Sequence, residues 1–116
     1  MNRSILLLVS LALAAIPTAA SADSVQDMLR KLPPPAFTSK HNMDALEYCI
    51  GVGVSEPYMP TVLRGEDRRL IYGGIMGGAA IGFLVAIVDT GEERTLAVRS
   101  YKGDNEKIDR AIRACL

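Results

Sequence analysis

Two cysteines, one histidine and scattered serines and carboxylates are the side chains here whose types could do chemistry. Cys49 and Cys115 are far apart in sequence and form no C-x-x-C redox pair. A zinc-type site normally recruits several His or Cys ligands, and His41 is the only histidine, so no metal and no cofactor is expected. Ser24, Ser39, Ser55 and Ser100 follow the apolar N-terminal stretch. None lies in a G-x-S-x-G elbow, and only His41 could activate one of them. A lone histidine ahead of a helix is most simply solvated or capping.

The remaining candidates have bland explanations. Gly73-Gly74 and Gly77-Gly78 suggest a phosphate loop, but no G-K-[ST] follows, and the next segment has the pattern of a strand, not of a helix N-terminus. Asp104, Glu106 and Asp109 form a carboxylate cluster interleaved with Lys107 and Arg110, the pattern of a solvated helix face. Glu92-Glu93 reads as a solvated turn. Pro57, Tyr58, Met59 and Pro60 make either a contact surface or a loop folded onto the core by Tyr58 and Met59. No catalytic residue is assigned.

The compartment gives the cysteines their meaning. Arg3 is followed by an apolar stretch over 5–16, broken only by Ser10, and then by Pro17, Thr18 and Ala20-Ser21-Ala22. This order is that of a secretory signal peptide, residues 1–22, with cleavage after Ala22. The rival, an uncleaved anchor, is disfavoured because the apolar stretch is short for a span. In an oxidising compartment Cys49 and Cys115 are expected to pair within the chain. The mature chain, 23–116, is then one small exported domain, periplasmic or extracellular. The whole sequence carries 13 basic and 13 acidic residues. Removal of Arg3 leaves a slight acidic excess with the signs interspersed, so no nucleic acid partner is expected.

The elements that would position these residues follow from periodicity. The stretch 81–88 is uncharged and rich in β-branched residues, with apolar side chains on both of its sides, the larger ones on one side. Such a pattern belongs to an interior strand. A polar Gly-bearing turn follows, then alternation over 94–101. Short strands are expected over 61–64 and 68–73, and residues 73–80 as a loop or bulged strand start. Helix 25–32 has Ser24 as N-cap and Val25, Met28, Leu29 and Leu32 on one face; the prolines 33–35 stop it. Helix 42–50 has Asn42 as N-cap and ends at Gly51 and Gly53. Helix 105–115, capped by Asp104 or Asn105, carries Ile108, Ala111, Ile112 and Cys115 on one stripe.

The uncharged run 70–88 has a rival reading. Gly74, Gly78 and Gly82 are spaced as in close-packed membrane helices. Against it stand five glycines, which weaken a helix. Acidic residues also fill the flank that would become cytoplasmic. A span would further place Cys49 and Cys115 on opposite sides of the membrane.

The sequence therefore predicts a small α+β domain. An antiparallel sheet of three or four strands (61–64, 68–73, 80–88, 94–101) is covered on one face by helices 25–32, 42–50 and 105–115, with one disulfide. The leading functional expectation is a non-enzymatic binding protein whose partner is a protein or an envelope component. The rivals are a small hydrolase or transferase working with carboxylates and Arg side chains, and a membrane-embedded Gly-zipper protein.

Overall fold

The strand Ile81–Asp89 (β4) lies at the centre of a five-stranded antiparallel sheet, with Arg94–Ser100 (β5) on one side and Arg68–Gly74 (β3) on the other. The edges are Phe37–Ser39 (β1), beside β5, and Thr61–Arg64 (β2), beside β3. This is a computed structural model, and it describes residues 24–56, 59–74, 81–100 and 105–116. The signal-peptide reading, Pro57, Tyr58, Gly77, Gly78 and Asp104 lie outside the described residues.

Four of the strands stand where periodicity places them. The fifth, β1, is a correction to the expected three or four. It has only three residues, too few to show a period, and Pro35 lacks the N–H a longer ladder would need. Its register is Phe37 opposite Leu96, Thr38 opposite Thr95 and Ser39 opposite Arg94.

Of the stretch 73–80, expected as a loop or bulged strand start, residues 75–80 lie outside the described residues, and the first two end β3 with a register shift. Gly73 faces Phe83 but Gly74 faces Ile81, so the pairing shifts by one residue there. One consequence is that Ile81, which simple alternation would align with Phe83, packs instead with Leu84 and Ala86.

The sheet is covered on both faces, which corrects the expectation of helices on one face. Met43–Gly53 (α2) and Asn105–Arg113 (α3) pack over Phe83, Val85, Ile87, Ile71, Leu96 and Phe37. Val25–Arg30 (α1) packs on the reverse side, where Met28 meets Leu70, Leu84 and Ala86. Leu84 is fully buried there. A single covering layer would have left it in water, forgoing about 2 kcal/mol of burial.

Local chemistry sets the helix bounds. Ser24 and Asp27 form a reciprocal capping box, and α1 stops at Arg30 because Pro33 disfavours a helical residue before it. Asn42 Oδ1 accepts the Ala45 N–H at 2.8 Å and caps α2 as expected. The expected stop at Gly51 is not observed. The helix continues through Gly51 and Gly53, and Gly91 alone has a positive φ among the described residues. The reason for Gly53 is proximity: a Cβ there would lie 3.1 Å from the Ala111 Cβ on α3.

Cys49 and Cys115 are joined by a disulfide, with their Cα atoms 5.8 Å apart, which ties α2 to the turn after α3. Among the described residues no helix is long and apolar enough to cross a membrane. Those of the 70–88 run belong to the paired strands β3 and β4, as the interior-strand reading expects.

Candidate functional site

Charged groups gather where α2 crosses β2 and β3. Alternation puts Arg64 and Arg69 side by side on the α2 face, where they are cross-strand partners. Unrelieved, two guanidiniums in this position would repel. Glu47, one helical turn from Asp44, lies between them. The Arg64 Nε donates to Glu47 Oε1 and its Nη2 to Oε2, both at 2.7 Å, a planar bidentate fork. The Arg69 Nη2 donates to Asp44 Oδ1 at 3.2 Å. Arg69 Nε is also 3.2 Å from Glu47 Oε1, yet it is buried without an aligned acceptor, so that contact is ionic rather than directional.

Hydrogen bonds from Arg64, reinforced by the charges of Arg64 and Arg69, hold the Glu47 carboxyl below its usual range, and the Arg64 guanidinium is raised in turn. A carboxylate so engaged is a poor proton acceptor at neutral pH. What the cluster does best is fasten α2 to the edge of the sheet.

The other sequence candidates are dispersed. His41 is exposed, and its backbone N–H donates to the Oγ of Ser39, which is buried. Ser24 caps α1, and the Ser55 hydroxyl donates to the Val52 carbonyl. Glu92 and Glu93 lie in the β4–β5 turn, where Asp89 Oδ1 accepts the Gly91 N–H at 2.9 Å. Glu106 is exposed on α3, and Asp109 faces a cleft. Met59 is 80% exposed and does not fold onto the core; its expected companion in that role, Tyr58, lies outside the described residues. No group of His, Cys, Asp and Glu suited to a metal ion occurs among the described residues.

Among the described residues, two concave places stand out. One, of about 350 Å³, lies at the β5 edge beyond the end of β1, between Phe37, Val98 and Ser100 and the α3 residues Asp109 and Arg113. Its charges are of both signs, and the Arg113 guanidinium already lies over the Phe37 ring at 5.0 Å.

The other, of about 250 Å³, lies on the α1 side. Its floor is Ala86, Val88, Thr95 and Ala97, its wall is Leu29, Leu32, Pro33 and Pro35, and Arg68 stands at one end. Cross-strand pairing continues its apolar floor sideways, through Leu70 to Leu63 on edge strand β2. Leu63 is 45% exposed.

The α1-side surface was not assigned from the sequence. The signal for it was there: small residues on one side of two adjacent strands, with a proline connector too stiff to follow them closely. No family model, curated protein or solved structure matches this chain.

Proposed function

We propose that the chain is an exported, non-enzymatic binding protein that engages a protein or envelope component through the α1 side of its sheet. The observation that carries this reading is the row Leu63, Leu70, Ala86 and Ala97. It runs apolar across four strands: Leu70, Ala86 and Ala97 are buried beside α1 and the cavity next to it, and the row ends at Leu63, which is exposed. Export is supported by the leader pattern and by the Cys49–Cys115 bond, which is at home in an oxidising compartment. The engagement of the Glu47 carboxylate by Arg64 and Arg69, which makes it a poor base, also favours binding over hydrolysis.

The test compares the exported protein with a Leu63→Glu variant in crosslinking and co-purification from the cell envelope. Leu63 is on an edge strand, so the variant should fold normally by circular dichroism. A partner captured by the wild type and lost in Leu63→Glu supports the reading. Equal capture by both, or activity on ester or glycoside substrates, would sink it.

A further inference from the structure

We infer that the cavity under α1 is a binding site for a small amphipathic anion, with an apolar tail on its floor and a carboxylate on Arg68. The inference rests on the reading of the α1 side as the binding surface, and it names the chemistry of what enters there.

Arg68 sets the charge. Its side chain lies on the same face as Leu70, and its cross-strand partner is Val88 on the cavity floor. It is exposed, and among the described residues its guanidinium has no carboxylate partner, unlike those of Arg30, Arg64, Arg69 and Arg94. Arg68 is the one charged side chain in the cavity lining; the rest are Leu, Pro, Ala and Val side chains and one Thr. An apolar concavity with one convergent charged donor is how proteins orient small amphiphiles. A guanidinium prefers a planar oxyanion, which it can grip with two parallel N–H groups. The cleft at the β5 edge lacks this bias, since Asp109 offsets Arg113 there.

Size limits the tail. An engineered cavity of about 150 Å³ holds benzene. On that scale 250 Å³ takes roughly ten non-hydrogen atoms, the size of octanoate. A longer chain would have to displace α1.

Amide chemical shifts of the purified full-length mature protein, titrated with octanoate and separately with octanol, test this. Octanoate should shift Leu29, Arg68, Ala86 and Ala97 saturably and bind more tightly than octanol. Arg68→Gln should weaken octanoate about tenfold and leave octanol unchanged. Ala97→Leu, which fills the floor, should weaken both. Equal affinity for octanoate and octanol in the wild type overturns the inference. So does an Arg68→Gln variant that binds octanoate as before, or an absence of saturable shifts. Partner capture sensitive to Leu63→Glu is measured separately, so failure here and failure of the binding reading are told apart.

Discussion

Gly51 and Gly53 are two residues apart on one helix, and the structure assigns opposite signs to the same substitution at the two. Both have negative φ and lie inside α2, where replacing Gly by Ala favours the helix by up to about 1 kcal/mol. A Cβ at Gly51 meets nothing within 4 Å. Gly51→Ala should therefore add about 0.5–1 kcal/mol, a rise in Tm of roughly 2–8 °C for a domain of this size.

At Gly53 the new methyl would lie 3.1 Å from the Ala111 Cβ and 3.6 Å from its Cα. Neither is the end of a flexible side chain that could turn aside. The helices cannot easily part either, since Cys115, four residues past Ala111, is bonded to Cys49. Overpacking of this kind costs about 1–3 kcal/mol, which exceeds the helix gain, so Gly53→Ala should lose about 1 kcal/mol.

Chemical denaturation of both variants, of Ala111→Gly and of the Gly53→Ala/Ala111→Gly pair gives a double-mutant cycle. Removing the opposing methyl should relieve the clash, with a coupling of about 1 kcal/mol, well outside additivity. If Gly53→Ala stabilises as much as Gly51→Ala and the coupling is near zero, the α2–α3 approach described here is wrong.

Other perturbations probe the remaining layers. The disulfide closes a 66-residue separation, so replacing both Cys49 and Cys115 by Ala should cost about 4 kcal/mol in the chain-entropy picture. Hydrogen exchange should show the loss first around Ile108 and Ile112; unchanged protection there would refute it. Met28→Ala should cost about 2–3 kcal/mol and raise exchange over 25–32 while α2 stays protected, because α1 is anchored on a cluster of its own. Glu47→Gln should cost about 1 kcal/mol at pH 7, the value being held down by the exposure of Arg64. The Glu47 carboxyl is lowered in the folded state, so its contribution is present above its ordinary value of 4.5 and fades as pH falls through the folded value. The wild-type and variant stability curves should accordingly converge only below pH 4.5; a constant gap down to pH 2 (roughly, below the carboxylate range) would argue against an ionic origin.

The elements with many repeats of their period were legible, and those decided by neighbours were not. The alternation of Leu70, Ile71 and Tyr72 and the uninterrupted apolar strand around Phe83 announce their places. So do Asn42 and Ser24 as caps and the two cysteines as a pair. Phe37 and Ser39 offer two points of alternation, which no periodicity can distinguish from chance. Their strand exists because Leu96 and Arg94 present a ladder to them. Gly53 was misread for a related reason. A glycine near the end of an apolar stripe usually marks a left-handed stop, and only the position of Ala111 reveals that this one makes room for another helix. The ionic cluster was equally hidden, because Glu47 is 17 residues from Arg64 and nothing local links them.

The second covering layer is the more instructive omission, because its cause was already visible in β4. A strand with apolar residues on both sides needs two covers. The side bearing Phe83, Val85 and Ile87 is bulky and takes the two helices held together by the disulfide. The side bearing Gly82, Leu84 and Ala86 is shallow, and the cross-strand partner of Ala86 is Ala97. Leu84 gives α1 one large residue to sit on, while the two alanines leave space that a helix stopped by three prolines does not fill. The cavity is therefore a consequence of residue size on one side of two paired strands. Its charge comes from the next residue along that face, because Val88 pairs with Arg68 at its open end.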